Sequence, residues 1–178
     1  MKLGFLTAPF PETPLMEVAD WAASVDFEVL EIACWPMSGG VKRKYAGTAH
    51  IDVAGLTEAQ ASEIKAEIAE KGLEISGLGF YPNPLHPDLE VRAAAIDHLK
   101  AVIVATGKMG LPVTNTFCGG DASKNVDENW EEALKVWPDI VSFAQDHGVK
   151  LTFENCPMIF SYDEWPGGHN IAYSPYIW

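Results

Sequence analysis

One acidic residue interrupts the apolar segment LTFENC at residues 151–156. In a strand, Leu151 and Phe153 would lie on one face, and Thr152 and Glu154 on the other. A carboxylate that faces a protein interior is costly unless it is paired, protonated or bound to a metal. Glu154 is therefore either a metal ligand or proton-transfer group, or a buried glutamate held by a Lys, an Arg or a backbone donor.

Other reactive or polar side chains also lie at the ends of apolar segments. They are Glu31, Cys34 and Trp35; Tyr81, Asn83 and His86; Cys118; and Asn155 and Cys156 beside Glu154. In parallel α/β folds, function gathers at the carboxyl ends of the strands. We predict that Glu31, Trp35, Tyr81 and Asn155 contact a substrate, against the alternatives of a polar group at the rim of the fold and of ordinary aromatic packing.

Histidines and cysteines offer further candidates. His86 lies in YPNPLHPD, where the prolines would hold it either as a positioned proton-transfer group or within a plain turn. His50 is predicted at the surface of a long loop. The three cysteines are predicted to be packing residues, with a soft-metal site as the alternative. The basic run VKRK at 41–44 is either an exposed loop or a contact to a substrate phosphate.

The elements that must position these residues alternate regularly between strand and helix. Strands are predicted at 2–7, 28–34, 73–81, 112–118 and 150–156, and helices at 13–25, 57–72, 89–110 and 127–148. We expect Thr13, Thr57 and Asp88 to be N-caps, and Pro138 to kink or restart the fourth helix. Such alternation predicts a parallel sheet.

Two parallel α/β architectures compete for this pattern. An open dinucleotide-type sheet carries a glycine-rich loop after its first strand, but TAPFPETP contains no glycine. This absence favours the other fold class, a parallel (β/α) barrel of TIM type. A full barrel needs eight units. We expect residues 1–178 to be a single incomplete barrel domain, with five strands, four helices and the start of a fifth helix at Ser174 and Pro175, belonging to a longer enzyme.

Charge and composition restrict the partners and the location. The net charge of −13 opposes nucleic-acid binding, which requires a basic surface. No apolar run reaches the length of a membrane span, and no signal peptide is evident. An odd number of cysteines, three, suits a reducing compartment. We expect a cytoplasmic protein that binds neither membrane nor nucleic acid. The open edges of a half-barrel predict self-association into a homo-oligomer.

The chain resembles the sugar-phosphate isomerase/epimerase proteins of the xylose-isomerase-like TIM-barrel superfamily. The stretches that carry the resemblance are MKLGFLTAPFPETPL, LEIACWP, YAGTAHIDV, YPNPLHPD, NTFCGGD, NWEEALKVWP, LTFENCPM and GGHNIAYSP. The resemblance implies a divalent metal (Mn, Zn, Mg or Co) at the barrel mouth, bound by a Glu, Asp, His and Glu set. Glu154 matches the first ligand, and the other three would lie beyond Trp178.

The resemblance also implies a reaction, namely proton transfer next to a carbonyl through an enediolate. Glu154 would be both metal ligand and catalytic base, and His86, Glu31 and Trp35 would orient and stack a small sugar, keto-sugar or polyol. One alternative is a metal-dependent lyase or dehydratase on keto-glycosides or inososes. Another is a non-catalytic half-barrel that pairs with a second chain. The superfamily also contains abasic-site endonucleases, which the acidic charge disfavours.

Overall fold

A five-stranded parallel sheet in the order β1-β2-β3-β4-β5 forms the centre of the computed structural model, which describes residues 1–37, 46–156, 170–173 and 177. The elements in chain order are β1 Gly4–Leu6, α1 Leu15–Ser24, β2 Val29–Ala33, α2 Glu58–Glu70, β3 Glu74–Gly79, α3 Leu89–Lys108, β4 Val113–Thr116, α4 Val126–Asp146 and β5 Lys150–Phe153. Every neighbouring pair of strands is parallel. The predicted βα order and parallel sheet are confirmed, although each strand is shorter than predicted.

Capping side chains explain where α2 and α3 begin. The Thr57 hydroxyl accepts from the Gln60 N–H at 3.3 Å, and the Gln60 side chain accepts from the Thr57 N–H at 3.0 Å, which is a capping box. Asp88 caps α3 by accepting from the Glu90 N–H at 2.9 Å. Both predicted caps are confirmed.

Two expectations about helices are wrong. Pro14, rather than Thr13, is the N-cap of α1, because its ψ of 147° is extended and lies outside the helix. Of the two alternatives at Pro138, the restart is wrong, because helix α4 continues through Pro138 to Asp146, and the kink stays a prediction. The surrounding apolar positions keep their helical period on both sides of the proline, and packing of that face offsets the lost backbone donor.

All four helices end in the same way, at the edge where the strands begin. Each helix is followed by one residue in the left-handed conformation: Asp26 after α1 (φ 62°), Gly72 after α2 (78°), Gly110 after α3 (61°) and Gly148 after α4 (69°). The next residue then donates its N–H five positions back, as Leu73 does to Ile68 O at 3.3 Å and Val149 does to Ala144 O at 2.9 Å. This is the Schellman motif, and it leads each helix directly into the next strand.

The apolar core lies between the sheet and the helices. Leu30 and Ile32 of β2 and Leu78 of β3 are fully buried on the face that meets the helices, together with Leu99 and Ile103 of α3. The other face of the sheet carries glycines and polar residues toward its carboxyl end. Because side chains alternate along a strand, burying one face in this core orients the intervening polar residues to the opposite, inner face.

Some expectations concern residues outside the described ranges. They are the basic run at 41–44 and the start of a fifth helix at Ser174 and Pro175. Within the described ranges, no helix combines the length and apolar character that crossing a membrane requires.

Candidate functional site at the carboxyl end of the sheet

Glu31 lies on the inner face of β2, between the fully buried Leu30 and Ile32. Its carboxylate extends over Gly79 of β3, where a Cβ atom would overlap Glu31 Oε1. A register shift between Leu30 and Glu31 brings Glu31 opposite Gly77 instead of Ser76. Glycine in a strand commonly marks a close approach of another group, and here that group is a carboxylate.

Two neighbouring strands supply hydrogen bonds to this carboxylate. The Tyr81 hydroxyl, just beyond β3, donates to Glu31 Oε1. The Asn115 side chain of β4 also hydrogen-bonds to Glu31. Burial raises the pKa of Glu31 above its usual value, and the bonds from Tyr81 and Asn115 oppose that rise without cancelling it. Burial, followed by the charge of Glu31, also raises the pKa of Tyr81, so the phenol remains the donor.

Glu154 is the first residue after β5, and its direction follows from the packing of the strand. The Phe153 ring meets Trp137 of α4 at 4.6 Å between centroids, on the helix side of the sheet. Thr152 points the other way, and its hydroxyl donates to Asn115 Oδ1. The Glu154 N–H donates to Thr116 O at 2.9 Å, which continues the strand ladder. Alternation therefore orients the Glu154 side chain to the same inner face as Glu31.

The two carboxylates influence each other. Glu154 is exposed overall. The protein on one side nevertheless desolvates its carboxyl group, and that desolvation, followed by the negative charge of Glu31, raises the pKa of Glu154. Among the described residues, no Lys or Arg forms an ion pair with Glu31 or Glu154. Two facing acids without a basic partner create a site that favours a cation or a proton.

The donor set fits part of a divalent-metal site. Carboxylate oxygens are the ligands that Mg²⁺ and Mn²⁺ prefer, and they also bind Zn²⁺. In the part of the chain that the structure describes, no three His, Cys, Asp or Glu residues cluster closely enough to hold a metal by themselves. Glu154, with Glu31 below it, can supply one side of such a site, and the remaining ligands must come from elsewhere.

Aromatic side chains lie beside Glu31, just after the ends of β2, β3 and β4. The Trp35 ring lies 5.9 Å from both Phe80 and Tyr81, and Tyr81 lies 5.0 Å from Phe117. Trp35 is 8% exposed and Tyr81 6% exposed. These rings pack against one another, and the Tyr81 hydroxyl bonds to Glu31. The predicted substrate contacts Glu31, Trp35 and Tyr81 are thus brought together.

Other predicted site residues lie apart from this group or only beside it. His86 Nδ1 accepts from the Asp88 N–H at 3.1 Å, and His86 O accepts from Arg92 Nε at 2.8 Å, so its contacts lie at the start of α3. Asn155 is exposed next to Glu154. Their predicted roles in catalysis and substrate binding stay predictions.

His50 differs from the expected surface residue because it is half-buried. Its Nδ1 lies 2.8 Å from Thr7 Oγ1, and its Nε2 lies 3.2 Å from Phe10 O and 3.1 Å from Thr13 O. Burial lowers the pKa of His50, so the neutral ring is favoured, with the proton on Nε2 facing the two carbonyls. His50 therefore fastens the β1–α1 loop.

The cysteines behave as packing residues where the structure describes them. Cys34 and Cys118 are buried, and Cys156 is half-buried. Burial raises the pKa of the Cys118 thiol to about 11, and burial also raises the pKa of Cys34. A thiol that stays protonated at neutral pH is a poor metal ligand.

Two functional-site residues escaped the sequence analysis. Asn115 gave no alternation signal like that of Glu154, because it lies between two polar residues, Thr114 and Thr116, whose full burial only the structure shows. Asn170 is fully buried and bonds to the backbone after β5. It carries no periodic signal in the sequence.

The fold and site together define a barrel-type α/β protein with an acidic centre at the carboxyl end of its sheet. Residues 19–168 match the xylose isomerase-like TIM barrel family, and the chain belongs to that family. No protein of curated function matches the sequence.

Solved structures with the same fold include sugar-processing and dehydratase proteins. D-psicose 3-epimerase from Clostridium cellulolyticum H10, solved with D-tagatose, is 19% identical with a TM-score of 0.65, covering 91% of this chain and 55% of its own. A xylose isomerase domain protein from Planctomyces limnophilus is 16% identical with a TM-score of 0.59, covering 92% and 56%. The probable 3-DHS dehydratase AsbF from Bacillus anthracis is 17% identical with a TM-score of 0.60, covering 88% and 53%. The chain thus spans about half the length of these proteins, and at these identities the likeness shows the fold alone.

Proposed function

We propose that the complete protein is a divalent-metal-dependent isomerase or epimerase of a small sugar, keto-sugar or polyol, with Glu154 as metal ligand and proton carrier. One observation carries the proposal: Glu154 and Glu31 face the same inner surface, and no described Lys or Arg pairs with either. Membership of the family and the likeness to a D-psicose 3-epimerase structure support it.

Mn, Zn, Mg or Co would each suit carboxylate ligands at this position. When bound, the metal would supply Lewis-acid polarisation of a substrate carbonyl and hydroxyl. Glu154 would bind the metal from the end of β5, and Glu31 on β2 would contribute negative charge to the site.

The proton carrier must take a proton from carbon and return it. In the metal-free protein, burial and then the charge of Glu31 raise the pKa of Glu154. Glu31, oriented by Tyr81, would accept a hydrogen bond from a sugar hydroxyl. Trp35 and Tyr81 would form the apolar wall beside the ring, and Asn155 and His86 would contact the substrate from the loops.

Replacing Glu154 by Gln in the complete protein tests the proposal. The matched control is Glu70→Gln, an exposed glutamate in the last turn of α2. We expect Glu154→Gln to lose bound Mn²⁺ and to slow ketohexose epimerisation by about 10²–10⁴-fold, the range for a proton-transfer group. Metal content by mass spectrometry and product ratios by NMR give the two readouts. Wild-type metal content and rate in Glu154→Gln would remove Glu154 from the mechanism.

A lyase or dehydratase is the second candidate, and the likeness to the probable 3-DHS dehydratase structure favours it. Removal of the same proton would then be followed by elimination of water, or of the alcohol attached through the glycosidic oxygen. The proton would not be returned to carbon. Product mass separates the two reactions, because isomerisation leaves the mass unchanged and dehydration lowers it by one water.

A non-catalytic half-barrel that pairs with a second chain is the third candidate. Among the described strands, β1 and β5 each pair on one side only, and such edges promote association. Light scattering on the protein made by its native cell, together with its intact mass, tests this candidate. A single 178-residue chain that remains monomeric would count against it.

A further inference from the structure

Asn170 is the one fully buried side chain amide among the described residues at the end of β5. Its Nδ2 donates to Glu154 O at 3.0 Å and to Cys156 O at 3.1 Å. Its Oδ1 accepts from the Gly119 N–H and the Ala172 N–H, both at 3.4 Å. Both donors and both acceptor positions of the amide are therefore used on backbone groups.

One hydrogen bond of Asn170 holds the backbone of Glu154, the candidate metal ligand. Glu154 N–H is bonded to Thr116 O at 2.9 Å, and Glu154 O is bonded to Asn170, so both backbone groups of Glu154 are fixed. The Ile171 N–H donates to Gly119 O at 3.0 Å, which holds the 170–172 segment against the β4–α4 loop. The direction of the Glu154 side chain depends on this peptide orientation.

A second asparagine extends the connection to the preceding loop. Asn83 Nδ2 donates to Gly120 O at 2.7 Å, and Asn83 Oδ1 accepts from the Gly120 N–H at 2.9 Å. Gly119 has a φ of 87°, and a Cβ there would contact Asn83 Oδ1. Two side-chain amides thus join three successive loops, after β3, β4 and β5, through Gly119 and Gly120.

We propose that Asn170 is a positioning residue that fixes the peptide of Glu154, and with it the direction in which Glu154 presents its carboxylate to the divalent metal. The proposal rests on the proposed function for the identity of the ligand that Glu154 meets. Outer residues that orient a metal ligand typically contribute 10–100-fold to metal affinity or activity.

The test uses Asn170→Asp in the complete protein, because this change keeps the shape and replaces a double donor by an acceptor facing two carbonyls. The control is Asn129→Asp, since Asn129, in the first turn of α4, is another buried amide that donates to backbone carbonyls, at Asp121 O (3.0 Å) and Asn125 O (2.9 Å) just before that helix. The milder variant Asn170→Ser serves if Asn170→Asp fails to fold.

Two readouts decide the outcome. In the metal-free protein, hydrogen exchange at the Glu154 and Ile171 amides should accelerate in Asn170→Asp and stay as in the wild type in Asn129→Asp. Calorimetric titration with Mn²⁺ alone should show affinity about 10–100-fold weaker in Asn170→Asp, while Asn129→Asp binds within about twofold of the wild type.

The outcomes separate this proposal from the proposed function. Wild-type exchange in Asn170→Asp overturns the positioning role outright. Wild-type Mn²⁺ affinity in Asn170→Asp, while Glu154→Gln loses binding, overturns it as well. If Glu154→Gln itself binds Mn²⁺ as the wild type does, the proposed function fails, and the exchange measurement alone then decides whether Asn170 fixes the Glu154 peptide.

Discussion

The two ends of the sheet are built by different means. At the end where the strands begin, backbone hydrogen bonds terminate each helix with one repeated Schellman motif, and a glycine occupies the left-handed position in three of the four. At the end where the strands finish, side-chain hydrogen bonds hold the loops and the acidic residues in place. Tyr81 and Asn115 bond to Glu31, and Asn170 bonds to the carbonyl of Glu154. Backbone motifs tolerate many sequences, whereas side-chain contacts tie function to particular residues.

A glycine-to-alanine change at each end of the sheet should destabilise the protein, for a different reason at each end. Gly79→Ala at the functional end places a Cβ onto Glu31 Oε1 and within 3.1 Å of Leu6 Cδ1, so we expect a loss of about 1–3 kcal/mol in the free energy of unfolding, typical of overpacking. Gly72→Ala meets no atom within 4 Å but keeps a φ of 78°, and should cost about 1–2 kcal/mol through backbone conformation alone. Urea denaturation measures both.

A double-mutant cycle distinguishes the two causes. Glu31→Ala should recover much of the loss in Gly79→Ala because it removes the overlapping carboxylate. The same Glu31→Ala change should leave the cost of Gly72→Ala unaltered. Additive effects of Gly79→Ala and Glu31→Ala would show that the carboxylate does not occupy the space above Gly79.

Glu31, on the inner face of the sheet, and Glu132, on helix α4, should change the free energy of unfolding with pH in opposite directions. Burial raises the pKa of Glu31, so the folded state keeps a proton that the unfolded chain has already lost. The contribution of Glu31 to the free energy of unfolding is therefore lost as the pH rises from 4.5, the ordinary pKa of a glutamate, through the raised pKa. Relative to the wild type, Glu31→Gln should gain stability over that window.

Glu132 provides the opposite case. Arg92 Nη1 lies 2.6 Å from Glu132 Oε1, and this hydrogen bond, together with the charge of Arg92, lowers the pKa of Glu132. Its stabilisation is present above the ordinary pKa and is lost as pH falls through the lowered one. Glu132→Gln should therefore lose stability relative to the wild type as pH rises. Thermal unfolding between pH 3 and pH 8 checks both signs, and parallel profiles for the two variants would contradict the assignment.

The smallest effect should come from α1, the one helix among the described residues whose end lacks glycine. Asp26 occupies the left-handed position after α1 with a φ of 62°, where the other three helices have Gly. Asp26→Gly should raise the free energy of unfolding by about 0.5–1 kcal/mol, because relief of the left-handed conformation exceeds the added flexibility of the unfolded chain. A decrease in stability would show that the Asp26 side chain contributes bonds of its own.

Much of the sheet, and part of the site, could be predicted from the sequence. The alternation of Leu151 and Phe153 with Glu154 predicted the inner face correctly, because burial of one strand face determines the other. The Glu31–Tyr81 contact could not be predicted, since the two residues are 50 positions apart and a register shift after Leu30 aligns Glu31 with Gly77. Asn170 was missed because its partners lie in loops, where no periodicity constrains side-chain direction.

The space that Gly79 leaves above its backbone makes the identities of positions 31 and 79 dependent on each other. An acid at position 31 fits only when the neighbouring strand has no side chain at 79. In an evolving lineage the glycine must therefore come first, since the reverse order passes through an overpacked intermediate. Among relatives, we expect glutamate at the position of Glu31 to occur together with glycine at the position of Gly79, and larger residues at the second position to accompany small ones at the first.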